Sequence, residues 1–427
     1  MTKHVFLALH LGAGYHDPNL YNDYKVLASD VCYKGIKSLL KENIGNDVIS
    51  YVLKLLENSH LNNAGYGSNL NINGEVECDA SVMEGKFGYW GSVGALKRVK
   101  NPIAVANQIL KRQIDSRLHK NTKLLQPCML AGDEAYKWAQ SCCKSISTSN
   151  GKDLITDKTY EDYEKAMMMH QEEINQYSIN GMNTSLTEYQ KDTDIIPLDE
   201  LTNPFYKTFQ KSINDKDYLP LSEPDQEESL NLGTVGAICL DSQGNFYSGI
   251  SSGGPILKQP GRIGHAAMYG CGCWAENRKD NAKNRTKIYD GIAISTSGCG
   301  EQLIKSLMAK TLSQDLLRSR FVHQAFTDTL QTFLDEASLE PEPSKSLCGA
   351  IALIGLKKDN DDSAEEPDTS SRYEFVWGHT CRSMCISYVS GLVGDTKIPK
   401  PKVCFSKQAA QNCGRRIYCQ GKMIKFS

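Results

Sequence analysis

In the dipeptide Gly233-Thr234, the threonine alone could supply both groups that hydrolysis needs, a nucleophile and a base. A threonine hydroxyl is a weak nucleophile unless a base lies beside it. If the bond before Thr234 is cut, the residue gains a free α-amine. Such an amine ordinarily has a pKa of ~7.7–8.0, so it is substantially neutral at cellular pH and can take the hydroxyl proton. Gly233 permits a strained backbone before the scissile bond and leaves room for attack on its carbonyl. From these two residues alone, a threonine that merely opens a strand remains the alternative.

Arg262 is a second candidate, because it lies between Gly261 and Gly264 in an otherwise apolar stretch. A guanidinium pairs with a carboxylate through two parallel hydrogen bonds, which suits the binding of an acidic substrate group. A structural ion pair is the alternative for this arginine.

Seven short blocks of the chain resemble the type-2 asparaginase family of N-terminal-nucleophile hydrolases, and within it the threonine aspartases (taspases). The resemblance covers roughly residues 1–140 and 230–390, with 150–230 unmatched. In the family's order the blocks are 10–14 (HLGAG), 63–68 (NAGYGS), 77–81 (ECDAS), 233–237 (GTVGA), 251–254 (SSGG), 261–264 (GRIG) and 295–301 (STSGCGE).

The resemblance implies a role for several residues. Thr234 takes the place of the nucleophile, and Ser252 that of a hydroxyl that orients it or relays its proton. Ser297 and Gly298 stand where the family forms its oxyanion hole, in which the loss of one donor typically costs ~2.7–4 kcal/mol. Asn63 stands where an amide supports the site, and Arg262 where the family binds a substrate carboxylate. Except for Arg262, whose alternative is an ion pair, each of these residues is also compatible with a plain turn or strand position.

Two features favour an endopeptidase that cleaves on the carboxyl side of aspartate. The blocks 270–276 (GCGCWAE) and 297–300 (SGCG) resemble the threonine aspartase versions. His265 occupies a position where the asparaginases carry an acidic residue that holds the substrate's free α-ammonium. A histidine is neutral or positive near pH 7 and cannot anchor an ammonium, whereas an aspartate inside a polypeptide needs no such anchor.

Two other interpretations stay open. Gly233 matches the asparaginases rather than the aspartate that precedes the nucleophile in threonine aspartases, which favours an isoaspartyl peptidase or L-asparaginase. A metal-binding or scaffold protein would have to use Cys142, Cys143, Cys271 and Cys273. Their spacing forms no paired C-x₂-C set, and no nearby His-x₃₋₅-His completes a zinc site. We therefore expect neither a metal nor a cofactor.

The predicted architecture is a four-layer αββα sandwich that is made as one precursor. Cleavage between Gly233 and Thr234 gives an α subunit, 1–233, and a β subunit, 234–427. Within the first, 1–150 shows alternating helix and strand patterns, and 151–233 has the pattern of a mobile acidic linker. From 150 to 233 there are 18 acidic and 7 basic residues, a net charge of −11. Such composition is typical of a poorly packed segment.

Composition narrows the class of protein. The chain has 427 residues, 40% of them hydrophobic, and a net charge of −2. Nothing in that balance draws it to nucleic acid or to a membrane. Its fifteen cysteines lie in apolar runs or glycine-rich turns, which indicates free thiols in a reducing compartment, cytoplasmic or nuclear. The expected partners are protein substrates and the chain's own fragments, which the resemblance implies assemble as α2β2.

Overall fold

A computed structural model describes residues 3–118, 125–142, 146–179, 233–277, 289–337, 347–356 and 372–424. Most of the predicted linker, 180–232, lies outside the described residues. Two compact units divide the chain: Met1–Tyr163 together with Leu230–Ser427, and Glu164–Ser229. Of the second unit, the structure describes the helical residues up to Ile179.

Thirteen strands and eight α-helices are found in the described part of the chain. The strands are β1 His4–Gly14, β2 Cys78–Glu84, β3 Trp90–Leu96, β4 Met129–Ala131, β5 Val235–Leu240, β6 Phe246–Ser252, β7 Cys273–Asn277, β8 Tyr289–Gly298, β9 Cys348–Leu356, β10 Arg372–His379, β11 Ser383–Leu392, β12 Lys402–Lys407 and β13 Tyr418–Ile424. The helices are α1 Tyr21–Leu39, α2 Gly45–Glu57, α3 Pro102–Leu118, α4 Gly132–Cys142, α5 Asp157–Ile179, α6 Gly300–Lys305, α7 Met308–Arg318 and α8 Val322–Ala337.

Two sheets form the centre of the larger unit. The first has the strand order β12-β11-β1-β5-β6-β2-β3-β4, and the second has the order β13-β10-β9-β8-β7. Strand β1 shows why the sheets stack, because its side chains alternate between two apolar faces. Leu7 and Leu9 pack in the cluster formed with α1 and α2, while Phe6 and Ala8 face the second sheet and pack near Phe375.

Helices cover the outer face of each sheet. Helices α1, α2 and α3 bury one apolar stripe against the first sheet. Helices α7 and α8 bury another, which includes Leu312 and Phe326, against strands β8 and β9. The layers are therefore helix, sheet, sheet and helix, and the predicted αββα sandwich is confirmed.

Strand β5 lies in the interior of the first sheet, between β1 and β6. All six of its residues are buried, because both faces of the strand are covered by apolar layers. Thr234 comes directly before β5 and is 3% exposed. The candidate nucleophile is therefore held at the end of a fixed central strand, and not on a surface loop.

One predicted helix is wrong as a single element. The pattern over 302–318 predicts one helix, but the structure has α6 and α7, separated near Leu307. Leu307 has a φ of 46° and is half exposed. Left-handed backbone interrupts the helical hydrogen bonds, so the chain changes direction there and α7 turns its apolar face to the second sheet.

Each cysteine that the structure describes is a free thiol. In the described ranges, no helix combines the length and the apolar character that crossing a bilayer requires.

Candidate active site

The hydroxyls of Thr234 and Ser252 are hydrogen-bonded, with 2.8 Å between Thr234 Oγ1 and Ser252 Oγ. Both residues are buried, at 3% exposure each. Ser252 is the last residue of β6, which pairs with β5 in antiparallel register, Val235 opposite Ser251. The Gly254 N–H donates to Ser252 Oγ at 3.1 Å, which fixes the serine beside Thr234. A proton can therefore pass between the two hydroxyls without any movement of the backbone.

The carbonyl of Gly233 belongs to the bond that is predicted to be cut. It accepts a hydrogen bond of 3.1 Å from the Asn63 N–H. A donor on this oxygen stabilises the negative charge that develops when the Thr234 hydroxyl attacks the carbonyl carbon. The backbone of Asn63, and not its side chain, therefore makes the direct contact with the scissile peptide.

The side chain of Asn63 holds the surrounding turn together. Its Nδ2 donates to the Gly254 carbonyl at 2.8 Å, and its Oδ1 accepts from the Asn69 N–H at 2.9 Å. The Gly253 N–H donates to the Asn63 carbonyl at 2.8 Å. Asn63 thus joins the Gly233 carbonyl to the turn after Ser252, and its expected supporting role remains a prediction about catalysis.

His10 is a buried residue of the site that the sequence did not single out. Its Nε2 lies 3.0 Å from Ser295 Oγ. Burial lowers the pKa of His10 to about 3, and a hydrogen bond to the Thr234 backbone partly offsets that effect. A Cβ on Gly236 would collide with both His10 and Ser295. His10 is therefore a neutral ring that contacts the backbone of the candidate nucleophile, Thr234.

Ser297 and Gly298, the predicted oxyanion-hole residues, end strand β8. The hydroxyl of Ser297 accepts from the Ala13 N–H at 2.9 Å, so it connects β8 to the last part of β1, where the pairing with β11 is irregular between His10 and Ala13. Gly298 has a φ of 147°, and a Cβ there would collide with the Leu347 carbonyl. Only glycine fits this position, which keeps the backbone at the end of β8 close to that of Leu347. The role of the two residues as donors stays a prediction.

Three glycines surround the guanidinium of Arg262. A Cβ on Gly254 would lie 3.0 Å from Nη1, and a Cβ on Gly264 or Gly300 would collide with Nη1 or Nη2. The Arg262 side chain is 15% exposed. Glycines from three separate sequence blocks therefore leave the space in which this guanidinium lies. The spacing of these glycines along the sequence does not predict that they meet at Arg262.

Glu301 fixes one edge of that guanidinium. Its Oε1 accepts from Arg262 Nε at 2.9 Å and lies 2.8 Å from Nη2. With Nε and Nη2 paired to Glu301, Nη1 is directed toward Gly254 and Gly264, next to the turn that follows Ser252. The ion pair that the sequence left as an alternative for Arg262 exists, and it involves Nε and Nη2 but not Nη1.

His265 lies beside Arg262 in a short 3₁₀ turn, and it is 3% exposed. Burial, and then the positive charge of Arg262, lower the pKa of His265 to about 3. The imidazole is therefore neutral at physiological pH. Its Nε2 is buried and has no hydrogen-bond partner among the described residues, so the ring has one unsatisfied polar atom.

Two more charged groups lie behind the site. Lys258 is buried and donates to the carbonyls of Gly253 and Glu77, at 2.8 and 2.6 Å; burial lowers its pKa. Asp79 accepts from the Gly264 N–H at 2.7 Å, and burial raises its pKa. Both oxygens of Asp79 already accept backbone N–H groups. Asp79 therefore holds the backbone at Ala95 and at Gly264.

No group of three or more His, Cys, Asp or Glu side chains that could hold a metal ion exists in the part of the chain that the structure describes. Cys143, one of the four cysteines considered for a metal site, lies outside that part.

Comparison with known families gives one match over most of the chain. The Asparaginase_2 family, described as asparaginase, matches residues 3–353. The match begins before His10 and includes every residue of the site. The chain belongs to this family.

Similar curated members of the Asparaginase_2 family carry the name isoaspartyl peptidase/L-asparaginase. The protein from Bos taurus is 30% identical over 264 residues, which is 62% of this chain and 61% of the relative. The Mus musculus protein is 26% identical over 292 residues, 68% of this chain and 66% of the relative. The chain thus spans slightly less than two thirds of the length of these relatives.

Among the residues of the family blocks, the structure brings together Thr234, Ser252 and the Asn63 backbone around the Gly233 carbonyl. Arg262 and His265 lie together beside Gly300. Sequence patterns give no role to three further residues, His10, Lys258 and Glu301. His10 and Glu301 stand inside the family blocks, but their contacts depend on strands and turns that are distant in sequence. Lys258 lies outside the family blocks, and no sequence pattern indicates that it belongs to the site.

Proposed function

We propose that this chain is a threonine hydrolase that activates itself by cutting between Gly233 and Thr234 and then opens an amide bond at an aspartyl or asparaginyl group. The observation that supports it is the 2.8 Å contact of Thr234 Oγ1 with Ser252 Oγ, next to a scissile carbonyl that already holds a hydrogen bond.

Self-cleavage begins with attack of Thr234 Oγ1 on the Gly233 carbonyl carbon. Ser252 receives or relays the hydroxyl proton, and the Asn63 N–H stabilises the developing oxyanion. Collapse breaks the peptide C–N bond and leaves an ester between Gly233 and the Thr234 oxygen. The Thr234 nitrogen takes up the proton as that bond breaks and becomes the free α-amine. Water then hydrolyses the ester, which restores the hydroxyl and leaves Gly233 with a carboxylate.

In turnover, the freed α-amine of Thr234 is the base for its own hydroxyl. Attack on the substrate carbonyl gives an acyl-enzyme and releases the amine or ammonia, and water then completes the cycle. Arg262 Nη1 positions the substrate carboxylate. The Gly298 N–H is the proposed donor to the oxyanion of this second reaction.

The family relationship favours isoaspartyl peptidase/L-asparaginase activity as the reaction. That is the name carried by the similar proteins from Bos taurus, Mus musculus and Xenopus laevis, and Gly233 before the nucleophile agrees with it. Arg262 would bind the α-carboxylate of asparagine or of a β-aspartyl peptide.

His265 favours a second candidate, an endopeptidase that cleaves after aspartate. The ring is neutral and buried, and its Nε2 is unpartnered in the described structure. It carries no negative charge to pair with a free α-ammonium, and it can hydrogen-bond a peptide group. In this second candidate Arg262 binds the aspartate side chain, and the substrate's α-nitrogen lies within a peptide bond.

A substrate panel separates the two candidates. Processed protein is incubated with L-asparagine, a β-aspartyl dipeptide and an aspartate-containing peptide. Ammonia or aspartate release at a useful rate, with the peptide intact, supports the first candidate, and peptide cleavage after aspartate supports the second. Protein with Thr234 at a new N-terminus that opens none of the three bonds would contradict the proposal.

A further inference from the structure

Lys258 is a buried cation that has no part in the proposed reaction steps. It is 5% exposed, and lysine is seldom buried to this degree because its ammonium then loses its hydration. Its Nζ donates to two backbone carbonyls, that of Glu77 at 2.6 Å and that of Gly253 at 2.8 Å. Gly253 directly follows Ser252, so the charge of this lysine is directed at the turn next to the candidate nucleophile.

One peptide group connects Lys258 to Ser252. The carbonyl of the Gly253–Gly254 peptide accepts from Lys258 Nζ at 2.8 Å. The N–H of the same peptide, which belongs to Gly254, donates to Ser252 Oγ at 3.1 Å. Ser252 Oγ lies in turn 2.8 Å from Thr234 Oγ1. The ammonium, the peptide and the two hydroxyls therefore form one continuous chain of hydrogen bonds that ends at the proposed nucleophile.

A charge at one end of such a chain changes the chemistry at its other end. An ammonium on the carbonyl oxygen withdraws electron density from the peptide, so the peptide N–H becomes a stronger donor, and successive hydrogen bonds polarise one another. Hydrogen bonds that involve a charged group are also roughly twice as strong as those between neutral groups. A stronger donor on Ser252 Oγ stabilises negative charge on that oxygen, so the serine passes on a proton more readily.

The surroundings of Lys258 favour its charged form. The other titratable or charged groups that face it are Glu77, Cys78, Asp79 and Arg262. Burial lowers the pKa of Lys258, and the negative charge of Asp79 partly offsets that effect. Asp79 lies opposite Ser252 in the pairing of β2 with β6. The acid that stabilises the ammonium is therefore next to the serine on which the ammonium acts.

We propose that Lys258 is a positioning residue for the reaction, whose charge acts through the Gly253–Gly254 peptide to prepare Ser252 and Thr234 for proton transfer. The inference deepens the proposed function and rests on it. Lys258 contacts neither the scissile peptide nor the proposed nucleophile in the described structure, and it acts on them through the single N–H that fixes Ser252.

A purely structural role for Lys258 makes a different prediction. Two carbonyls held by a buried ammonium stabilise the turn after Ser252, and their loss would lower the melting temperature. Such a loss would not change the acidity of groups at Thr234. The pH dependence of the reaction therefore separates the two roles.

The test compares the pH dependence of kcat/KM in wild type and in two variants. Lys258→Met removes the charge and the donors, and Lys258→Gln removes the charge but keeps a donor. A nearby positive charge lowers the pKa of an amine. In both variants we therefore expect the acidic limb of the profile, which follows the Thr234 α-amine, to move up by roughly one pH unit, and self-cleavage to slow by about tenfold.

Lys97→Met is the matched control and should keep the wild-type profile. Lys97 has 29% of its side chain exposed and pairs with the carboxylate of Glu77 at 3.3 Å. Two other groups near the site do not disturb the comparison. His10, which contacts the Thr234 backbone, is neutral because burial lowers its pKa to about 3. Glu57 has a pKa of about 7, but it is present in every variant.

The pKa of the Thr234 α-amine tests the inference without any substrate. It is measured in processed protein by nitrogen NMR of isotope-labelled threonine. We expect a value below the ordinary ~7.7–8.0 in wild type and in Lys97→Met, and a value about one unit higher in the two Lys258 variants.

Two results would overturn the inference alone. One is a wild-type α-amine whose pKa is ~8.0 or higher, and the other is an acidic limb and an amine pKa that are the same in wild type and in the Lys258 variants. Wild-type protein that is never cut before Thr234 would contradict the proposed function, and the inference with it.

Discussion

At the scale of single residues, the position of the Thr234 hydroxyl depends on one neighbouring side chain. The Ser252 hydroxyl is the only side-chain hydroxyl that the described structure places within hydrogen-bond distance of Thr234 Oγ1. Its own position is set by the Gly254 N–H. The proposed nucleophile therefore contacts a serine that is itself held by a backbone N–H.

Ser252→Ala removes that hydroxyl with little change in shape. Because proton transfer by a positioned side chain contributes roughly 10²–10⁴-fold, we expect self-cleavage and kcat/KM to fall by about 10²-fold or more. Gel analysis of processing over time and steady-state kinetics measure this. Ser248→Ala on the same strand is the control, since its hydroxyl donates to the Ile294 carbonyl. Unchanged processing in Ser252→Ala would remove the serine from the mechanism.

His265→Asp tests which substrate the pocket accepts. An aspartate beside Arg262 restores an acidic partner for a free α-ammonium, so we expect the ratio of L-asparagine turnover to peptide cleavage to rise by at least about tenfold, the ratio that 1.4 kcal/mol gives. His265→Gln, which stays neutral, should leave the ratio near that of wild type. If the aspartate and glutamine variants have the same ratio, the charge at 265 does not select the substrate.

Residue identities and their order are enough to predict much of the candidate site. Thr234, Ser252 and Arg262 stand in glycine-rich blocks whose order is specific. His10 and Glu301 receive no role from the sequence, because their significance comes from contacts between distant segments. The sequence also does not predict the hydrogen bond from the Asn63 N–H to the Gly233 carbonyl, since a main-chain donor is not specific to any residue type.

At the scale of elements, periodicity predicts most helices and the hairpin of β5 and β6. Helix α3 begins at Pro102, as expected for a residue that suits the first turn. The sequence pattern does not predict the strands β4, β7, β8, β12 and β13. Strand β8 includes the first four residues of the block 295–301, whose composition is typical of a turn. Strand β12 is partly exposed and has a lysine at each end, and only Val403 and Phe405 mark its apolar face.

Gly254→Ala tests the glycine surroundings of Arg262. The new Cβ would lie 3.0 Å from Arg262 Nη1 and 3.3 Å from Lys258 Nζ, so we expect KM for the substrate carboxylate to rise by about tenfold or more, a loss of ~1.4 kcal/mol of binding. The left-handed backbone adds a cost of roughly 1–2 kcal/mol in stability.

Gly88→Ala is the matched control for that change. Gly88 has a φ of 76°, close to the 72° of Gly254, and nothing lies within 4 Å of a Cβ there. It should show the same loss of stability, measured by thermal unfolding, with normal KM. Equal effects of the two substitutions on KM would show that the collision with Arg262 is not the cause.

At the scale of the whole molecule, the predicted cut falls inside one shared sheet. Strand β5, after the cut, lies next to β1, before it, and β6 lies next to β2. Each fragment thus contributes neighbouring strands to one sheet with a shared core, so we expect the two fragments to stay together. The fold class is predictable because the alternating helix and strand patterns agree with the family resemblance.

Glu57 makes the stability of this core depend on pH. Burial raises the pKa of Glu57 to about 7, against 4.5 for an ordinary glutamate. Between these values the folded state holds a proton that the unfolded state releases, so stability falls as pH rises from about 4.5 to about 7, by at most roughly 3 kcal/mol.

Glu57→Gln removes this titration and keeps an acceptor for the Ser251 hydroxyl, which donates to Glu57 Oε1 at 2.7 Å. We expect the melting temperature of the variant to rise relative to wild type between pH 5 and pH 8, with the two proteins compared in the same processing state. If the melting temperatures of the two proteins change in parallel between pH 5 and pH 8, the raised pKa of Glu57 does not determine this pH dependence.

The central claim is that a new α-amine at Thr234 makes its own side chain reactive, and N-terminal sequencing of active protein tests it most directly. We predict that the C-terminal fragment begins Thr-Val-Gly-Ala, and that Thr234→Ala yields only an uncut chain near 47.4 kDa. Active protein whose second fragment starts at any other residue, or fragments formed by Thr234→Ala, would contradict it.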